Sequence, residues 1–92
     1  MAGLLKKEAY LYGVKEMTKD EFEELQERIA WGEEFNFYYQ NEEYWISQNP
    51  DGYYLTRVKG SLTQEFKTPE LLFKNGTIQG KLLSEIFMDI EW

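Results

Sequence analysis

Carboxylates are the side chains of this sequence with the widest chemical range, because the 92 residues include 17 Asp and Glu but no His and no Cys. Paired carboxylates can hydrolyse glycosides or hold Mg²⁺. Serine and cysteine hydrolases, by contrast, depend on an imidazole or a thiolate. The composition therefore removes most hydrolytic mechanisms and any disulfide. A carboxylate-dependent enzyme stays open as the least favoured hypothesis, since so short a chain leaves little room for a cleft.

The short motifs that bind cofactors or metals are missing. The glycines are isolated, and no G-x-G-x-x-G or G-x-x-x-x-G-K-[ST] pattern follows a strand and opens a helix. Asp89 and Glu91, like Glu23 and Glu24, lack the ligand spacing and the glycine of a calcium loop. We therefore predict no catalytic residue, no metal site and no cofactor.

The most acidic segment covers residues 16–34, which hold eight acids and two bases, a local balance of −6 within a formal net charge of −7. On a helix, four of these acids fall within an arc of about 100°: Asp20, Glu23, Glu24 and Glu27. One interpretation is a solubilising surface, partly relieved by an i,i+4 pair between Glu24 and Arg28. The other is a row of carboxylates that imitates a phosphate backbone and binds a basic, nucleic-acid-handling protein.

A second candidate surface is aromatic. Strand alternation predicts that Tyr38, Trp45 and Tyr54 share one face of a sheet, on three neighbouring strands. The residues expected on the opposite face, towards a helix, are Phe35, Phe37, Tyr44, Ile46, Tyr53 and Leu55. If exposed, the three aromatic side chains would form a partner-binding patch. If the C-terminal helices cover them, they form a second small core instead.

The acidic residues would be positioned by a helix over about residues 19–31. Thr18 and Glu21 form the T-x-x-E capping box that starts a helix, and Gly32 ends it. Phe22, Leu25 and Ile29 recur on one side as a narrow apolar stripe. This helix should pack its stripe on a sheet and present its carboxylates to solvent.

The aromatic residues would be positioned by a four-stranded antiparallel meander. Four alternating segments, FNFYYQ, EYWISQ, YYLTRV and LTQEFK, are separated by turn residues. The predicted turns are Asn41-Glu42, Asn49 to Gly52, and Lys59 to Ser61. An N-terminal strand over residues 8–14 would extend the sheet.

The C-terminal third predicts two short helices. Thr68, Pro69 and Glu70 start the first, and Asn75-Gly76 ends it. Leu82, Leu83, Ile86 and Phe87 supply one side of the second, after a link from residue 77 to residue 80, and the final DIEW is a tail or an edge strand. We expect a single α+β domain over residues 1–92, with these helices at the edge of the sheet or on its opposite face.

Two segments of the C-terminal half carry a resemblance: Phe66 followed by Pro69 to Leu72, and Gly80 to Ile86. With the tyrosine-rich hairpin before them, they resemble a scattered group of short, acidic, uncharacterised proteins from Gram-positive bacteria and their phages. The resemblance covers about the C-terminal two-thirds of the chain. It implies a bacterial or phage accessory protein and no active site.

Charge and hydropathy narrow the function. A net charge of −7 disfavours direct contact with nucleic acid or anionic lipid and favours a basic protein partner. No segment has the apolar run of a signal peptide or a membrane span, so we expect a cytoplasmic protein. The leading hypothesis is a non-catalytic inhibitor or regulator, and the alternative is an immunity or adaptor module that docks through its aromatic face. A homodimer through a strand edge, at residues 8–14 or 62–67, is also open.

Overall fold

The computed structural model describes residues 17–92, and they form an α+β fold. The helices are α1 (Lys19–Ala30), α2 (Pro69–Asn75) and α3 (Leu83–Ile86), and a 3₁₀ turn covers Phe87–Asp89. The strands are β1 (Phe35–Tyr39), β2 (Glu42–Asn49), β3 (Gly52–Arg57), β4 (Leu62–Phe66), β5 (Thr77–Ile78) and β6 (Lys81–Leu82). The strand predicted at residues 8–14 lies outside the described residues.

The four-stranded antiparallel meander is confirmed, in the order β1-β2-β3-β4. The β2–β3 turn lies where predicted, and the Asn49 Oδ1 atom accepts hydrogen bonds from the N–H groups of Asp51 (2.8 Å) and Gly52 (3.2 Å). The first turn was predicted one residue too late. Gln40 and Asn41 form it, both with positive φ, as the two-residue turn of a right-twisted hairpin requires.

One face of the sheet carries the hydrophobic core. Phe37, Ile46 and Leu55 are fully buried on it, beneath the apolar stripe of α1, which consists of Phe22, Leu25 and Ile29 as predicted. Phe35 and Tyr53 pack at the margin of this core. A side-chain amide adds to the contact, since Gln48 Nε2 donates to the Ile29 carbonyl at 2.7 Å. The alternation of the strands therefore predicts the buried face correctly.

The C-terminal helices pack on this same face, beside α1, and not on the opposite face. The Phe73 ring meets Phe22 edge-on at 5.7 Å, and the Phe87 ring stacks on Phe22 at 4.4 Å. At the end of α2, a Cβ on Gly76 would lie 3.1 Å from a methyl carbon of Leu55, on β3. All three helices thus share one core, and of the two alternatives for the aromatic residues, the one in which the C-terminal helices cover them as a second core is wrong.

The predicted link from residue 77 to residue 80 is a small hairpin, because β5 and β6 pair through a turn at Gln79 and Gly80, both with positive φ. The side chain of Gln64 attaches it to β4: Gln64 Nε2 donates to the Thr77 carbonyl (2.7 Å), and Thr77 N–H donates to Gln64 Oε1 (3.0 Å). The second C-terminal helix consequently starts at Leu83. The predicted apolar side of this helix begins one residue earlier, at Leu82, which lies in β6 instead.

The tail pairs with the outer edge of β1 at one residue. Glu91 and Tyr38 exchange two backbone hydrogen bonds, each of 2.7 Å. The edge position of the final residues is therefore confirmed as a single antiparallel bridge. Ile90, immediately before it, is buried in the core.

Candidate partner-binding surfaces

The first surface, called the acidic face below, consists of Asp20, Glu23, Glu24 and Glu27 on α1, and all four are exposed. The capping box that starts the helix is formed as predicted. Thr18 Oγ1 accepts a hydrogen bond from Glu21 N–H (3.1 Å), and Glu21 Oε1 accepts one from Thr18 N–H (2.9 Å). Because Glu21 caps the helix, the four carboxylates of the acidic face are the ones α1 directs to solvent.

Ion pairing neutralises little of this surface. The predicted Glu24–Arg28 pair forms only at 3.9 Å, because the Arg28 side chain turns to Glu33, whose Oε1 atom lies 3.0 Å from Arg28 Nε. Among residues 17–92, Asp20, Glu23 and Glu27 have no cationic group within ion-pair distance. Within the part of the chain that the structure describes, three of the four carboxylates therefore form no ion pair.

Trp31 extends the acidic face and was not predicted as a functional residue. It is the C-cap of α1, its backbone remains in the α region (φ −80°, ψ −8°), and 75% of the residue is exposed. At 100° per residue it lies about 20° from Asp20 around the helix axis, inside the acidic arc. A helical wheel drawn over the whole predicted helix, to residue 31, places Trp31 among the acids.

A cleft of about 300 Å³ opens beside the acidic face. Leu25, Ile29, Phe35 and Trp92 contribute apolar walls, and Arg28 and several glutamates of α1 and the following loop line its polar side. An apolar floor with an acidic rim suits the aliphatic stem and cationic head of a Lys or Arg side chain.

The second surface, called the aromatic face below, consists of Tyr38, Trp45 and Tyr54, and the structure places all three on the sheet face away from the helices. Trp45 lies opposite Asn36 and Thr56, Tyr38 opposite Glu43, and Tyr54 opposite Ser47. The three side chains therefore follow a diagonal across β1, β2 and β3. Diagonal neighbours of this kind are about 7–8 Å apart at Cα.

Exposure on the aromatic face is uneven. Tyr38 is 46% exposed and Trp45 37% exposed, whereas Tyr54 is half-buried. The hydroxyl of Tyr54 donates to Asn49 Oδ1 at 2.8 Å, and that hydrogen bond ties it to the β2–β3 turn. Tyr38 and Trp45 are consequently the side chains of this face best placed to meet a partner.

One ion pair is structural and was not predicted. Arg57 Nη2 donates to Glu42 Oε2 at 2.7 Å, joining β3 to the start of β2. Hydrogen bonding to Arg57 lowers the pKa of Glu42 below its ordinary value of 4.5, and the same contact raises the pKa of Arg57. This pair belongs to neither candidate surface.

Comparisons with protein-family models, curated proteins and solved structures find no match to this chain. Within residues 17–92, no three carboxylates converge in a way that could hold a metal ion. No helix in the same part of the chain is both long and apolar enough to cross a membrane.

Proposed function

We propose that this protein is a small, non-catalytic inhibitor or regulator that binds a basic, nucleic-acid-handling protein through its acidic face. The observation that carries the proposal is the row of exposed carboxylates on α1, of which Asp20, Glu23 and Glu27 form no ion pair among residues 17–92. A surface ion network would need counter-charges between the acids. Uncompensated carboxylates instead attract a basic surface and steer its approach.

The spacing of the carboxylates supports an imitation of nucleic acid. At a rise of 1.5 Å per residue, Asp20 to Glu27 covers about 10 Å of helix axis, with intervals of about 4.5, 1.5 and 4.5 Å that average about 3.5 Å. One strand of duplex DNA carries a phosphate about every 3.4 Å along its axis. A groove that binds a phosphate backbone would therefore meet a similar linear charge density on α1.

Trp31 and the adjoining cleft would turn attraction into specific binding. Rows of exposed charge gain little free energy by themselves, because water and salt screen them. A largely exposed Trp beside the acids can be buried by a partner, and its ring can accept the guanidinium of an Arg. The partner's chemistry is thus a basic patch that includes Arg.

The proposed setting is the cytoplasm of a bacterium, with a phage or mobile-element accessory protein as the biological class. The resemblance of the segments at Phe66 to Leu72 and at Gly80 to Ile86 supports that class. The absence of Cys is compatible with a reducing compartment.

A second candidate function is an immunity or adaptor module that docks through the aromatic face. The position of the helices favours it, since α1, α2 and α3 all pack on the other side of the sheet and Tyr38 and Trp45 stay exposed. Binding through this face would depend on apolar burial, and it would resist salt.

The experiment that separates the two functions captures partners from a bacterial lysate with tagged protein, elutes them along a salt gradient and adds duplex DNA as competitor. The test variant is E23K/E27K, and the control D51K/D89K makes the same change of charge at exposed positions outside α1. We expect nucleic-acid-binding proteins on the wild type and the control, released by modest salt and by DNA, and none on E23K/E27K. Partners that survive high salt, ignore DNA and are lost only on Trp45→Ala would instead support the second function.

A further inference from the structure

The two edges of the sheet differ among the described residues. The outer edge of β1 is occupied at Tyr38 by the tail residue Glu91. The outer edge of β4 pairs with no other strand in residues 17–92. An exposed strand edge offers unpaired N–H and C=O groups to another chain.

The strand register identifies which backbone N–H and C=O groups of β4 point away from β3. Tyr38 bonds outward to Glu91, so in the alternating antiparallel pattern its neighbour Phe37 bonds inward to Tyr44. The same alternation, followed across β2 and β3, gives inward bonds from Gln64 to Leu55. Thr63 and Glu65 therefore point their backbone N–H and C=O groups outward. Neither has a backbone partner there among the described residues.

We propose that β4 pairs with β4 of a second copy of this chain, antiparallel and about a two-fold axis at Gln64. In that register Thr63 lies opposite Glu65 of the other copy, and the two symmetric pairs exchange four backbone hydrogen bonds. The meanders of the two copies join into one sheet of eight strands. This inference is independent of the proposed function, since it uses no residue of the acidic face.

Side chains favour this register. Leu62, which is 60% exposed, comes opposite the half-buried Phe66 of the second copy, so both lose contact with water. Glu65 meets a threonine and not its own symmetry mate, whereas a two-fold axis at Glu65 would oppose two carboxylates. The position of β4 is also fixed from within the chain, because the Gln64 side chain makes two hydrogen bonds to the backbone of Thr77.

Electrostatics permits the association despite the net charge of −7. The helix that packs over β3 and β4 is α2, and the acidic face lies on α1. The bases Lys59 and Lys67 flank the ends of β4, on either side of Glu65. Charges more than about 10 Å apart are largely screened at ordinary ionic strength, so the acidic faces oppose the pairing only weakly.

The interface is small. A stable protein interface buries roughly 800 Å² on each partner, which is more than one pair of five-residue strands supplies. We therefore expect a weak dimer that forms in the high micromolar range and dissociates on dilution.

The test compares Glu65→Pro with Glu65→Ala. Proline at this position removes an N–H that points out of the sheet and costs no bond to β3, so the monomer should fold as before by circular dichroism. Sedimentation equilibrium from micromolar to millimolar concentration should give a monomer–dimer equilibrium for the wild type and Glu65→Ala. For Glu65→Pro it should give a monomer, with the dimer weakened at least tenfold.

Amide hydrogen exchange of the wild type provides a readout that needs no variant. The N–H groups of Thr63 and Glu65 should exchange about two- to fivefold more slowly at millimolar than at low micromolar concentration, as mass action allows for a weak dimer, with Asn36 at the far edge unaffected. A wild type that stays monomeric throughout would overturn the proposal. So would a Glu65→Pro dimer as strong as the wild type, or exchange at Thr63 and Glu65 that does not depend on concentration.

Discussion

The acidic face and the aromatic face are both exposed, but they are built in different ways. The acidic face stands on a single helix, where an exposed carboxylate can be changed without disturbing the core. The aromatic face is the reverse side of the sheet that carries the core, so Trp45 alternates with buried Tyr44 and Ile46 along β2. Charge on the helix provides long-range attraction that salt weakens, whereas rings on the sheet provide apolar area that salt leaves intact. The two surfaces can therefore be distinguished by experiment.

The largest expected effect is a difference in stability between substitutions on the two sides of β2. Ile46→Ala should lower the free energy of unfolding by about 2–5 kcal/mol, because a fully buried side chain leaves a cavity. Its neighbour Trp45→Ala should cost less, about 1–2 kcal/mol, since its 37%-exposed ring loses cross-strand contacts but leaves no enclosed cavity. Urea unfolding of both variants measures the difference. A loss at Trp45 as large as that at Ile46 would mean that the aromatic face is part of the core.

Trp31 gives the next effect, on binding and not on stability. Trp31→Ala should weaken capture of the partner by about tenfold, the result of truncating an aromatic anchor, while unfolding changes by no more than about 0.5 kcal/mol. Trp45→Ala is the matched control, because it removes the same ring from the other surface. Equal losses from the two variants would argue against an interface confined to α1.

The helix caps allow a smaller, paired comparison. Thr18 Oγ1 caps α1 and Thr68 Oγ1 caps α2, each accepting a 3.1 Å hydrogen bond from a backbone N–H. Replacing either threonine by alanine should cost about 1 kcal/mol of stability. Only Thr18→Ala should also weaken binding of the partner, because it frays the turn that carries Asp20. A similar loss of binding for Thr68→Ala would indicate a general effect of stability.

The smallest effect concerns pH and the pair that belongs to neither surface. Because the pKa of Glu42 is lowered in the folded state, its contact with Arg57 stabilises the fold above the ordinary value of 4.5. That stabilisation is lost as the pH falls through the lowered value. Urea titrations of wild type and Glu42→Gln should therefore differ at neutral pH and converge in acid. A difference that does not vary with pH would exclude an ionic contribution.

Local patterns in the sequence were sufficient for α1 and for the buried face of the meander. The capping box of Thr18 and Glu21 and the alternation around Phe37, Ile46 and Leu55 each involve neighbours along the chain. The sequence predicts the first turn one residue late, at Asn41-Glu42, because glutamine is not a residue type typical of positive φ. The pairing of Tyr39 with Glu42 leaves Gln40 and Asn41 as the turn, and both have positive φ.

The side of the sheet on which the C-terminal helices pack could not be read from their own residues. Leu72 and Phe73 predict that the helix has an apolar side, but they do not indicate which surface of the sheet packs against it. The contacts of Phe73 and Phe87 with the ring of Phe22 place the C-terminal helices on the same face of the sheet as α1. Those contacts link residues far apart in the chain. The predicted link over residues 77–80 also misses the Gln79-Gly80 hairpin, although a glycine after a polar residue is compatible with a two-residue turn.

The most direct test of the central claim measures the dissociation constant of a captured, purified partner as a function of salt concentration. Wild type and the D51K/D89K control should bind with a steep loss of affinity as salt rises, and E23K/E27K should bind more weakly with a much shallower dependence. This result would assign the electrostatic attraction to the acidic face of α1. Equal affinity and equal salt dependence for wild type and E23K/E27K would contradict the account and leave the carboxylates as a solubilising surface.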